Sequence, residues 1–311
     1  IARYLEVLDS DPEHREAIAA LDRVFTHLER WPELVENLRR QMLTAEDEEQ
    51  SIETQFRMGQ IYQMSMGDLS HAIEAYREIL NINPDHSPTL TALELIFEEG
   101  EHQAEIAEIL EPLYYAAERW TSLVKLSEVK LESTEHPQDK LEIIRNVGEL
   151  CERRLGDAGQ AFYWWLRAYM VDPTSEDVTE QLERLADITQ EWGYIVEVSD
   201  QILENEGLEP EVRRQVLSRA GRVLDEHIQD PARAIDAYCK VLEINPENIE
   251  ALEALDRIYS QTSMWEELVD ILRRRIQATM DTELLIDLEM RLAGTYEQYL
   301  ADPEEAIAAL T

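Results

Sequence analysis

The residues of this chain best suited to chemistry are two cysteines, seven histidines and a large surplus of carboxylates. Cys151 and Cys239 lie far apart and fall in no pair motif, so neither a disulfide framework nor a zinc site is indicated. His14, His27, His71, His86, His102, His136 and His227 show no spacing that would bring two imidazoles to one metal. Acidic pairs occur throughout because 67 of the 311 residues are Asp or Glu, so no single carboxylate stands out as a general acid or base. Gly-rich phosphate loops, nucleophile elbows and calcium-loop patterns do not occur. The sequence therefore predicts no catalytic residue, no metal ligand and no cofactor.

The formal charge of −39 argues against nucleic acid and anionic membrane surfaces, and is compatible with a well-solvated surface, basic partners or divalent cations. Apolar residues make up 44% of the chain, enough to build a core despite the charge. No run approaches the roughly 20 apolar residues of a membrane span, so membrane insertion is not expected. Cytoplasm and periplasm are equally compatible with this segment. The chain begins and ends inside amphipathic patterns and reads as part of something longer.

The elements that organise these residues repeat. Pro12–Trp31–Gly59, Pro84–Trp120–Gly148, Pro173–Trp192–Gly221 and Pro246–Trp265–Gly294 form a series with a period of about 73 residues. Such a period marks a solenoid whose units bury their apolar faces by stacking. Each period divides into two helical hairpins. The better-marked one reads Gly59, Gly67-Asp68, Ala72-Ile73-Glu74-Ala75-Tyr76 and Asn83-Pro84, and recurs as Gly221, Asp230-Pro231, Ala234…Tyr238 and Asn245-Pro246. The small residue admits a neighbouring helix, Asp caps the second helix and Pro ends it. The fourth copy, read from Gly294 to Ala306, is one residue shorter between its helices than the first three. The alternate hairpin is weaker, with Leu21…Phe25…Trp31-Pro32-Glu33-Leu34-Val35 echoed by Leu255…Tyr259…Trp265-Glu266-Glu267-Leu268-Val269.

This pattern resembles the tetratricopeptide repeat over nearly the whole chain, and the pairing of strong and weak hairpins is similar to very long bacterial repeat proteins of the myxobacterial kind. The resemblance implies an all-α, right-handed superhelical solenoid of antiparallel helix pairs, about 18 to 19 helices continuous over residues 1–311. It implies a non-catalytic scaffold of a larger bacterial assembly that binds protein or peptide partners. Two alternatives are a regulatory or recruiting arm of an enzyme encoded outside the segment, and a passive spacer. Peptide-binding members of the family use helix A on the concave face. Here the positions two before the repeat glycine hold Arg57, Asn146, Arg219 and Leu292, which form no asparagine ladder, and those just after it hold Gln60, Glu149, Arg222 and Thr295, which lack the asparagine of a carboxylate clamp.

Three local departures stand out. Pro84 to Trp120 spans 36 residues where the other copies have 19, which predicts an irregular insertion near 101–119, with Pro112 kinking or starting a helix and one additional short helix. Arg39-Arg40 and Arg273-Arg274-Arg275 sit late in Trp-led helices, where positive charge complements the helix dipole. In the run Phe162-Tyr163-Trp164-Trp165, Phe162 and Trp165 fall on core positions, while Tyr163 and Leu166 replace residues that are polar in other copies. Tyr163, Trp164 and Leu166, with Tyr114 and Tyr115, are the expected partner contacts.

Overall fold

Short polar connections between amphipathic segments, twelve to fourteen residues long in all but the first and last helices, leave successive helices no choice but to pack antiparallel. The computed structural model describes residues 1–310 in this arrangement. Eighteen α-helices and no strands occur among the described residues. They divide into two units, 1–135 and 136–311. The first holds α1 (Ala2–Ser10), α2 (Arg15–His27), α3 (Trp31–Leu43), α4 (Glu48–Gln60), α5 (Leu69–Ile82), α6 (Ser87–Glu99), α7 (Gln103–Ala116) and α8 (Trp120–Ser133). The second holds α9 (Pro137–Leu150), α10 (Ala158–Val171), α11 (Glu176–Thr189), α12 (Trp192–Leu203), α13 (Pro210–Val223), α14 (Pro231–Ile244), α15 (Ile249–Thr262), α16 (Trp265–Ala278), α17 (Thr282–Thr295) and α18 (Pro303–Ala308). Within each unit every helix packs on the next in sequence, as an all-α solenoid requires.

The strong hairpins share one turn. Helices α4, α9, α13 and α17 each run on into a π-helical turn, at Ile61–Met66, Cys151–Leu155, Leu224–Ile228 and Tyr296–Leu300. A left-handed residue follows: Gly67, Gly156, Gln229 or Ala301. An aspartate comes next and works in both directions. The N–H groups of Asp68, Asp157, Asp230 and Asp302 donate to the carbonyls of Tyr62, Cys151, Leu224 and Tyr296 at 2.9–3.0 Å. Their carboxylates accept the N–H of His71, Gln160, Arg233 and Glu305, capping the next helix.

This turn corrects the register of the fourth copy. The small residue lies three positions before the carbonyl that receives the Asp N–H, which gives Gly59, Gly148, Gly221 and Ala293. Gly294 is displaced by one, and all four copies have the same length between helices. A Cβ on Gly148 would lie 2.8 Å from Trp165 and one on Gly221 would lie 3.0 Å from Tyr238, whereas one on Gly294 would meet nothing within 4 Å.

The weak hairpins turn differently. Each tryptophan that opens a helix stands two residues after a non-glycine residue in the left-handed region: Glu29, Glu118, Gln190 and Ser263, all with φ between 53° and 61°. The residue between them donates back across the turn in three copies, Arg30 to Phe25, Arg119 to Tyr114 and Met264 to Tyr259. The long interval before Trp120 is filled by one complete further helix. Between Pro84 and Trp120 stand both α6 and α7, where the other copies have one helix. The added helix is fourteen residues, not short, and α7 runs through Pro112 without ending or restarting.

Candidate functional site

Arginines on the first helices of three of the four strong hairpins, α4, α13 and α17, are used within the chain. Arg57 of α4 makes a bidentate pair with Asp22 of α2 at 2.6 and 2.9 Å, and Arg291 of α17 does the same with Asp256 of α15 at 2.8 and 2.6 Å. In the third copy Arg219 of α13 reaches Glu183 of α11 at 3.2 Å, and Arg222 reaches the same carboxylate at 2.6 Å. With the corrected register, Arg291 and not Leu292 stands at the position of Arg57 and Arg219. The second copy has the neutral Asn146 there. These arginines tie together first helices of adjacent hairpins.

Asp256 is buried and also receives Arg275, whose other nitrogen reaches Glu253 at 3.0 Å. The arginine run at the end of α16 therefore disperses by helical rotation. Arg273 goes to Glu305 of α18, Arg274 to Asp270 on its own helix, and Arg275 to α15. Specific ion pairs, rather than the helix dipole alone, account for these side chains.

The expected contact residues separate by burial. Tyr163 is 57% exposed and Tyr115 is 62% exposed. Trp164, Leu166 and Tyr114 are buried, which removes them as contacts. Arg167 covers the Trp164 ring at 4.5 Å. Leu166 is buried on a helix that packs directly against α12 as well as on α9 and α11. The Tyr114 hydroxyl donates to Glu94 at 2.7 Å, and Arg119 lies 4.6 Å from its ring. Burial and that carboxylate push the Tyr114 phenol up, so it remains a neutral donor. Phe162 and Trp165 are core residues as expected. On the surface, Tyr163 of α10 stands 6.1 Å from Tyr194 of α12, a partner that the sequence reading missed. Tyr115 and its edge-on neighbour Trp120 belong to the other unit.

A concavity lies between α14 and α16. Its volume is about 720 Å³, and its floor is Cys239, Leu242, Pro246, Tyr259 and Ile271. Glu243 stands on one wall, and Glu266, Glu267, Asp270 and Arg274 on the other. Arg274 is paired with Asp270 at 3.1 Å, so the rim is acidic on balance. At the floor the Cys239 sulfur lies 3.7 Å from the Tyr259 hydroxyl. Burial, followed by the neighbouring thiol and carboxylates, pushes that phenol up and keeps it uncharged. A smaller cavity of about 370 Å³ occupies the equivalent seam between α5 and α7, lined by Arg77, Leu80, Asn81, Glu108, Ile109, Pro112 and Leu113. Among the described residues no three His, Cys, Asp or Glu side chains group to hold a metal.

Residues 52–86, the α4/α5 hairpin, match a tetratricopeptide-repeat family model, and residues 251–285, centred on α15/α16, match a second. These two segments are tetratricopeptide repeats. One match falls on a strong hairpin and the other on a weak one, so both kinds of unit in this chain carry the family's pattern. No curated protein sequence matches it. Solved structures with some likeness include a MamA RS-1 double mutant, at 17% identity over 55% of this chain and 91% of that one, TM-score 0.36. Yeast Tom70 aligns at 12% identity over 90% of this chain and 61% of its own, TM-score 0.37. The P58(IPK) TPR domain aligns at 14% identity over 99% and 92%, TM-score 0.26. No helix of the chain is long and apolar enough to cross a membrane, among the described residues.

Proposed function

We propose that this tetratricopeptide-repeat chain is a non-catalytic scaffold that holds protein partners within a larger assembly. The observation that carries the reading is the α14/α16 groove, an apolar floor of some 720 Å³ framed by carboxylates on both sides. That volume lies in the range of about 300–1,000 Å³ usual for ligand sites. The exposed Tyr163–Tyr194 pair on α10 and α12 is a second contact, because two rings standing outward offer apolar area at low entropic cost. Conversely, the side chains of the α4, α13 and α17 arginines are committed to neighbouring helices and are not free to clamp a ligand.

The test is cross-linking capture from the native host with wild type, Tyr163→Glu/Tyr194→Glu and Cys239→Leu, each checked for helicity and melting. The scaffold reading expects a defined set of proteins on wild type and loss of some members from at least one folded variant. Identical captures on all three would place the contacts elsewhere, and empty captures throughout would favour a spacer.

A further inference from the structure

The seam between the second helix of a strong hairpin and the second helix of the hairpin that follows occurs three times, and the residues at equivalent places decide whether it is open. Between α10 and α12 it is closed. Leu166 is buried there, Ala186 and Gly193 supply no bulk, and α10 packs directly on α12. Between α14 and α16 the same places hold Cys239, Tyr259 and Glu266, and the seam opens into the 720 Å³ groove. Between α5 and α7 the opening is half that volume, and its polar lining of Arg77, Asn81 and Glu108 is close to neutral. Size and charge thus single out one seam of the three.

Resting on the scaffold reading above, we infer that the α14/α16 groove receives a basic amphipathic helix of a partner protein. Glu266, Glu267 and Asp270 are exposed and lie within one turn of α16, and Glu243 faces them from α14. Lysines or arginines three or four residues apart on a partner helix match that spacing. Their aliphatic stems lie along Leu242, Pro246 and Ile271 while their charged ends reach the rim. Apolar residues between them fill the floor over Cys239 and Tyr259. This is recognition of a helix by a groove, with charge setting the sign of the partner.

The probe is a fluorescein-labelled amphipathic helix built only of Leu and Lys, titrated by anisotropy at physiological salt. Cys239→Leu plugs the floor with the residue that closes the α10/α12 seam and leaves the net charge at −39. Glu267→Gln/Asp270→Asn removes two rim charges, and Glu204→Gln/Glu206→Gln removes two from an exposed stretch beyond α12. The groove predicts about a tenfold loss of affinity for each of the first two variants and less than about twofold for the third. As a second readout, bound peptide slows alkylation of Cys239 severalfold, while buried Cys151 stays unreactive throughout. Thiol protection and the rim variant decide the matter if Cys239→Leu does not fold.

Wild-type affinity in Cys239→Leu, or equal losses in the rim and distant variants, overturns the groove in favour of diffuse acidity. If cellular partners captured by wild type survive Cys239→Leu, the scaffold reading stands and the groove falls.

Discussion

The ring of Tyr238 on α14 lies over Gly221 of α13 so closely that a methyl group on the glycine would come within 3.0 Å of its carbons. Trp165 over Gly148 and Tyr76 over Gly59 repeat the arrangement. A side chain at any of these glycines would wedge two helices apart.

Gly221→Ala is therefore expected to destabilise by about 1–2 kcal/mol, overpacking outweighing the helix-propensity gain of alanine. Gly294→Ala should do the opposite, adding about 0.5–1 kcal/mol, because its site is open and helical. Urea midpoints of the two variants must move in opposite directions. A shared sign would show that the fourth copy has the register read from the bare sequence.

Asp256 holds two guanidiniums in a buried place, its side chain 4% exposed. Asp256→Ala leaves Arg275 with Glu253 alone and the half-exposed Arg291 without its carboxylate, at a cost of about 2–3 kcal/mol. The exposed equivalent of such a change, Asp236→Ala beside Lys240, should cost less than about 1 kcal/mol. Thermal unfolding of the two variants side by side checks the contrast.

Neighbouring positions in the aromatic run should behave in opposite ways. Phe162 is fully buried, and truncation to Ala is expected to cost about 3–5 kcal/mol. Tyr163→Ser changes an exposed ring and should stay within about 0.5 kcal/mol of wild type. Equal losses would mean that Tyr163 carries packing hidden from its exposure.

Alkaline titration gives a fourth expectation. Burial pushes the Tyr76 phenol up to about 12 from an ordinary 10, and its hydroxyl donates to Gln63 at 2.9 Å. A raised acid prefers the folded state while protonated. The contribution is therefore complete below the unfolded value, near 10, and is lost as pH rises through about 12. Phenolate absorbance should show exposed tyrosines ionising first, and Tyr76→Phe should remove part of the late-titrating fraction that it shares with buried Tyr114, Tyr238 and Tyr259. Titration of all tyrosines together near pH 10, with the fold intact, would contradict the burial.

The sequence by itself determined the period, the alternation of two hairpin types, the helix boundaries at Asp68, Asp230 and Pro84, and the glycines that aromatic rings cover. These signals are local, since a capping aspartate or a helix-ending proline acts within one turn of the residue that carries it. It also placed an extra helix before Trp120 by length alone. Tertiary structure decided the rest. The backbone bond from Asp302 to Tyr296 set the fourth small residue at Ala293 and not Gly294, because two adjacent small residues leave the register open in the sequence. Whether Leu166 is a surface or a floor depends on Ala186 and Gly193, twenty and twenty-seven residues later in the chain. The same position is buried where small residues follow and opens into a groove at Cys239, where Tyr259 and Glu266 stand instead. In a stacked array, a side chain's exposure is set by the helix laid over it, and that helix is written elsewhere in the chain.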